Sequence, residues 1–328
     1  MIISKTPLRC SFFGGGTDFH EYYENSRPGY GSVISTTLDM HVYITVNHNF
    51  DGKVRLCYAG NELVDHADQV KHNIIREALK IVGIEKGIEI FYSADIPLSG
   101  AGIGLASSSA LAVGVLNALH AYKGEYVSAE QLAKEACYIE IECLGQQIGI
   151  QDQYAVSYGG FKRYRFNQNG SVTVMPVVCR KEILQQLEKN MMLFFTGITR
   201  DSGKILSEQT KTISDKTAML DSLVATVDRA HDELVCGNLD LWGEELDKSW
   251  QIKKKFAGGI SNPVIDKMYT AARDAGALGG KILGAGGGGF LLLYTKKDRQ
   301  TDVKTVLKEF RQVPFALEPQ GSRIIFSD

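Results

Sequence analysis

Between Phe91 and Tyr122 the chain reads FYSADIPLSGAGIGLASSSALAVGVLNALHAY: an apolar strand-like run, a bare turn with Gly100, Gly102 and Gly104 followed by Ser107, Ser108 and Ser109, and a long apolar helix. A strand that enters a helix through so much exposed main chain commits this region to an αβ arrangement. Glycines at such a turn let backbone N–H groups approach a phosphate closely, with the positive end of the helix behind them. The plainer meaning is a tight turn with serine caps. Two familiar phosphate loops are excluded. A P-loop would need a lysine after the glycines, and a dinucleotide loop would need a third glycine where Ser107 stands. If phosphate binds here, serine hydroxyls are available to a phosphate oxygen or a magnesium ion.

The length of 328 residues with 44% apolar content allows a substantial core and points to two domains rather than one. The 36 basic and 38 acidic residues leave no electrostatic footprint for nucleic acid or an anionic membrane, so the expected partner is small. Six cysteines form no CxxC pair and seven histidines no HxxxH, which points away from a disulfide framework or zinc site and toward reduced cytosolic thiols. The apolar stretch near Met1 is too short for a signal peptide, and no window approaches a membrane span. A soluble, cytoplasmic protein is expected.

The first third is strand-rich, with MIISK, SVISTTLDMHVYITVNH, VRLCY and GIEIFYSA as strands. Helices are expected over 66–82 and 107–122, and from Ser128, where Gln131 completes a capping box, to Gly145. QNGS at 168–171 reads as a hairpin turn. After Cys179 come the strand MMLFFTG, long amphipathic helices to about Gly276, the run GGKILGAGGGGFLLLYT, a helix near 298–311 and a strand pair at 313–326. These divide the chain into domains 1–185 and 186–328. The run Lys253, Lys254, Lys255 beside Trp250 and Phe256 reads as a solvated helix face.

Two carboxylates stand out. In the helix after Ser128, Leu132, Ala136, Ile139 and Cys143 form an apolar stripe that contains Glu140, so this carboxylate points inward and needs a cation or strong donors. A structural Arg or Lys would serve, as would a magnesium ion carried by a nucleotide. Twelve residues on, Asp152 in GIQDQ sits where a loop enters a short helix; it is either an N-cap or a base that orients a hydroxyl attacking phosphate.

Taken together, TPLRCSFFGGGTDF (6–19), IPLSGAGIGLASSSAL (96–111) and KILGAGGGGF (281–290) resemble the three motifs of the GHMP kinase superfamily, in order and across nearly the whole chain. The spacing from Glu140 to Asp152 is similar to that of galactokinases, and GIQDQ resembles their Gly-x-x-Asp-Gln. The resemblance implies an α+β, two-domain fold, with an N-terminal ribosomal protein S5 domain 2-like half and a ferredoxin-like C-terminal half. It implies ATP and Mg2+ as cofactors. Gly102, Gly104, Leu105, Ala106, Ser107, Ser108 and Ser109 would wrap the ATP phosphates, with Ser108 and Glu140 at the metal. Asp152 and Arg9 would be catalytic. Asp18, Gly15, Gly16, Gly286 and Gly287 would face the acceptor. Ala106 departs from the family's usual glycine, and Gly15 and Gly16 replace the Glu-His that galactokinases carry, which points away from galactose.

LRCSFFGGGTDFHEYY, SYGGFKRY and FFTGITRDSGKIL are most similar to the bacterial D-glycero-D-manno-heptose 7-phosphate kinases, which phosphorylate an anomeric hydroxyl. That implies a sugar phosphate acceptor and cations at its far end. Arg200 and Lys204 are the first choice and Arg163 and Arg165 the second, while His20 and His41 are further candidates for orienting sugar hydroxyls. Other acceptors, of the fucokinase or mevalonate kinase kind, and a non-catalytic binding protein on the same fold are the competing readings. The oligomeric state is not legible.

Overall fold

Strands enriched in β-branched and aromatic residues open the chain. β1 spans Ile2–Phe13 and, after a one-turn helix α1 (His20–Tyr23), β2 spans Tyr30–His48. A computed structural model describes residues 1–96, 103–199 and 202–328, with the backbone alone for 202 and 204. β2 pairs with β1 over residues 34–46, and its 19 residues leave room for three further partners. After β3 (Val54–Cys57), β4 (Asn61–Val64) and α2 (Asn73–Val82), β5 (Ile88–Ala94) joins the second half of β2. The helix expected from residue 66 starts only at 73, because Val70 turns extended after a single 3-10 turn at Ala67–Gln69.

The glycine and serine turn opens α3 (Ser107–Tyr122), as expected, and residues 109 to 120 of that helix are all buried. A helix apolar on every side belongs inside. α3 lies against β1 and β2, approaching closely enough at Gly114 that an added Cβ would come within 2.9 Å of Thr6 Oγ1. Then follow α4 (Ala129–Cys137), α5 (Gln151–Tyr158), the hairpin β6 (Lys162–Asn167) and β7 (Val172–Pro176), and α6 (Lys181–Asn190). β6 pairs with the first half of β2, and the expected turn at 168–171 joins it to β7.

The second layer begins with β8 (Met191–Phe195) and runs through α7 (Ser202–Thr212), α8 (Thr217–Cys236), α9 (Leu239–Lys253) and α10 (Pro263–Asp274). It closes with β9 (Ala277–Ile282), β10 (Phe290–Thr295), α11 (Gln300–Val306) and β11 (Arg311–Gln312). Its antiparallel sheet has the order β11-β8-β10-β9, a ferredoxin-like succession of strand, helices, two strands, helix and strand. Trp242 of α9 stands edge-on to Phe12 and Phe13 of β1, with centroids 5.3 and 5.2 Å away, and packs on Tyr294 of β10. The two layers therefore share one core.

The end of the chain departs from expectation. β12 (Leu317–Glu318) and β13 (Arg323–Ser327) do not pair with each other: β12 adds to β2 and β13 to β1. The sheets consequently do not part the chain at residue 185 alone, since 317–327 belongs to the first sheet. Among the described residues, no helix is long and apolar enough to cross a membrane.

Candidate active site

One cleft between the layers collects residues from almost every expected motif: Arg9, Gly15, Gly16 and Asp18; Gly104, Ala106 and Ser107 to Ser109; Glu140; Asp152; and Gly284 with Ala285. Its centre is an ion pair. Arg9, 3% exposed, donates from Nε and Nη2 to the two carboxylate oxygens of Asp152, both at 2.7 Å, and from Nη1 to the Gly104 carbonyl at 2.7 Å. A guanidinium fork held on both sides fixes the angle of that carboxylate. Asp152 is the second residue of α5; it does not cap the helix, and its oxygens keep free lone pairs toward the cleft.

The turn before α3 presents main chain. Ala106 holds left-handed geometry at φ 62°, the one non-glycine residue with positive φ among those described, and explains why glycine suits this position. No side chain caps the start of α3, and the Ser107 hydroxyl is buried without a partner. Uncapped first-turn amides and an unpaired hydroxyl are spare donors of the kind that suit an anion. Leu105 lies behind this turn, wholly buried, and contributes its carbonyl to the Arg9 amide at 3.1 Å.

Glu140 points inward as its position implied and is 1% exposed. It accepts from Ser108 Oγ at 2.5 Å, Ser109 Oγ at 2.7 Å and Gln153 Nε2 at 2.6 Å, and no cation pairs with it among the described residues. Burial raises its pKa, and the three hydrogen bonds oppose that rise. A carboxylate beside hydroxyls is a hard oxygen set that fits a magnesium ion arriving with a nucleotide. Cys143, expected on the same stripe, is exposed, because Tyr138–Cys143 winds as a π-helix whose wider turn rotates it out.

On the opposite side Asp18 is buried and accepts from the Gly16 and Gln151 amides at 2.9 and 3.3 Å. Burial, and then the Asp152 charge, raise its pKa. Two lysines not expected at the site stand beside it. Lys253 donates to Gln209 Oε1 at 2.9 Å and Lys281 to the Phe12 carbonyl at 3.1 Å. Burial lowers Lys253 to about 7, with Lys281 adding to the effect; burial lowers Lys281 to about 8. The Lys253 to Lys255 run is thus not a solvated face throughout. Lys253 follows Trp242, Leu246 and Trp250 on the buried side of α9, a signal present in the spacing.

The glycine-rich third motif is the loop between β9 and β10. It meets the α3 turn backbone to backbone: an added Cβ at Gly104 would lie 2.3 Å from the Leu283 carbonyl, and one at Gly284 would lie 2.7 Å from Gly104 Cα. Gly286 and Gly287, expected at the acceptor, stand off the cleft. Gly286 packs on Ile260, and the Gly287 amide donates to the Ile260 carbonyl at 2.7 Å. Gly102 and Arg200 lie outside the described residues, as does the side chain of Lys204. Arg163 is engaged with Asp228, Arg165 stacks 4.1 Å over the Tyr30 ring, and His41 bonds Asp95 and Glu318, all away from the cleft. His20 is on the surface beside Glu24.

The cleft lies between the turn before α3 and the glycine-rich hairpin of β9 and β10. The chain is a member of the GHMP kinases: the N-terminal domain model matches residues 69–160 and the C-terminal model 228–312, together more than half of the sequence. Membership brings a kinase activity. Among its relatives, the D-glycero-α-D-manno-heptose 7-phosphate kinase of Campylobacter jejuni is 29% identical, covering 94% of each chain. The mevalonate kinase of Thermococcus sibiricus is 26% identical over 98% of each. A crystal structure of a D-glycero-D-manno-heptose 1-phosphate kinase from Bacteroides thetaiotaomicron superposes with a TM-score of 0.80 at 24% identity over the full length of both, which shows the common fold.

Proposed function

We propose that the protein transfers the γ-phosphoryl group of ATP to the anomeric hydroxyl of D-glycero-D-manno-heptose 7-phosphate, giving the 1,7-bisphosphate and ADP. The observation that carries the reading is the buried, two-pronged Arg9–Asp152 pair set directly beside the uncapped start of α3. An oriented carboxylate beside free main-chain donors supports phosphoryl transfer to a hydroxyl. The relative of 29% identity supports the choice of acceptor.

In this reading the acceptor hydroxyl lies against Asp152. The new O–P bond forms as the bond from the γ-phosphorus to the bridging oxygen breaks, and ADP leaves. The hydroxyl proton passes to the Asp152 carboxylate and then to solvent. A carboxylate is a weak base, so Asp152 acts chiefly by orientation and collects the proton late; the relatively acidic anomeric hydroxyl suits it. Arg9 fixes Asp152 and sets positive charge beside the transferring group. Bound magnesium, held by Glu140 and Ser108, would neutralise charge on the phosphate oxygens.

The test is ADP release across heptose 7-phosphate, fucose, galactose, N-acetylhexosamines and mevalonate. Turnover with heptose 7-phosphate at a kcat/KM well above every other acceptor is expected. Preference for mevalonate or a neutral sugar would overturn the acceptor, and absence of turnover with all of them would overturn the catalytic reading.

A further inference from the structure

Two lysines of the cleft have no part in the transfer chemistry above. Lys253, the last residue of α9, and Lys281, in β9, each keep 7% of their surface exposed, and both line the cleft. Each ammonium carries three donors but makes one hydrogen bond, to Gln209 Oε1 or to the Phe12 carbonyl. Lys253 also lies 4.8 Å from the Phe256 ring centroid. Neither forms an ion pair with a carboxylate among the described residues, although a buried charge ordinarily requires one.

The other charges of the cleft are already committed. Arg9 and Asp152 satisfy each other, and Glu140 is taken by the hydroxyls on the nucleotide side. What remains is two ammonium groups against the single carboxylate of Asp18, which itself accepts two backbone amides. Spare donors, buried positive charge and an opening onto the cleft are the attributes of an anion receptor, and a compact group with several oxygens can engage both ammoniums at once.

We propose that Lys253 and Lys281 form the subsite for the phosphate that the acceptor already carries. This rests on the phosphorylated-acceptor reading above. It also accounts for Gly16. An added Cβ there would lie 2.8 Å from Lys253 Nζ, on a backbone at φ 105°, so a side chain would be strained and would crowd the ammonium from its present position. The missing side chain at Gly16 is therefore space for that cation.

The experiment compares wild type with Lys253→Met and Lys281→Met, measuring kcat and KM for heptose 7-phosphate, the unphosphorylated heptose and ATP. Each variant should raise KM for heptose 7-phosphate by roughly 10- to 100-fold, while KM for ATP and for the unphosphorylated heptose stays within about 3-fold. Inorganic phosphate should compete with heptose 7-phosphate, and not with ATP, in wild type. Unchanged acceptor KM in both variants, a loss that falls on ATP instead, or phosphate that competes with ATP would overturn the assignment. If wild type does not turn over heptose 7-phosphate, the proposed function fails, and calorimetry with inorganic phosphate decides the subsite alone. Binding by wild type that is lost in both variants supports it; no binding by wild type overturns it. Lys253→Gln and Lys281→Gln serve if a methionine variant does not fold.

Discussion

The two walls of the cleft are built by different means. The wall proposed for the nucleotide is local main chain: Gly104 to Ser109, an uncapped helix start, and one inward carboxylate bound by neighbouring serines. The wall proposed for the acceptor is assembled from side chains far apart in sequence, and the Lys281 bond to the Phe12 carbonyl spans 269 residues. Main chain can recognise phosphate under many sequences, so its wall is a motif. Side chains from β1, α7, α9 and β9 can each be exchanged singly, so theirs is where one fold acquires different substrates.

Five changes probe that contrast, in decreasing order of expected effect. Asp152→Asn strikes the point where the walls meet: kcat should fall by roughly 1,000-fold, with the dissociation constant of ATP, read by calorimetry, almost unchanged. Glu140→Gln strikes the nucleotide wall alone. The magnesium concentration for half-maximal activity should rise roughly 10- to 100-fold, and acceptor affinity measured without nucleotide should not move. Gly104→Ala sets a Cβ against the Leu283 carbonyl on left-handed backbone, and urea unfolding should register a loss of about 2–3 kcal/mol.

The fourth sharpens the acceptor wall through pH. Lys253 titrates at about 7 and Lys281 at about 8 when folded, against 10.5 as the ordinary lysine value. Between those limits the unfolded chain binds protons that the folded one has lost, so this contribution to stability grows as pH rises from about 7. Anion binding should weaken over the same interval, because the ammonium charge is lost. The groups that act on the pair are Asp18, Arg9, Cys10 and the lysines themselves, and burial already pushes the Cys10 thiol up to about 12. Melting curves from pH 7 to 9 should therefore show the Tm of wild type gaining on that of Lys253→Met, with inorganic phosphate reducing the gain. The smallest effect is Ala106→Gly, which relieves left-handed strain and should raise stability by about 1 kcal/mol in thermal unfolding.

Much of the nucleotide wall was legible because its signals are short-range. The start of α3 and the inward turn of Glu140 follow from residue spacing, and the family motifs bring Arg9 to Asp152. Cys143 was misplaced because nothing in a 3.6-residue repeat announces a π turn. Gly286 and Gly287 were assigned to the acceptor because a run of glycines does not say which members face a ligand and which make room for Ile260. Lys253 was hidden by its charged neighbours: a triple-lysine run looks uniformly wet, although its first member continues the buried stripe of Trp242, Leu246 and Trp250. Lys281 lies in a strand whose other residues are apolar or glycine, and a lone cation there was a signal that went unread.

Residue 322 ties together three elements of the cleft at once. Its hydroxyl meets Thr6 Oγ1 of β1 at 2.7 Å and accepts from Asn117 Nδ2 of α3 at 3.0 Å, while its amide donates to Val156 of α5 at 3.0 Å. β1 carries Arg9, α3 begins at the turn lining the cleft and α5 carries Asp152. Two of these bonds join residues 316 and 205 positions apart, so the working geometry of the cleft depends on contacts of very long sequence separation, which form slowly. Until β13 docks, the first sheet keeps β1 as an open edge, a template for mispairing that an early-folding first half would otherwise have closed.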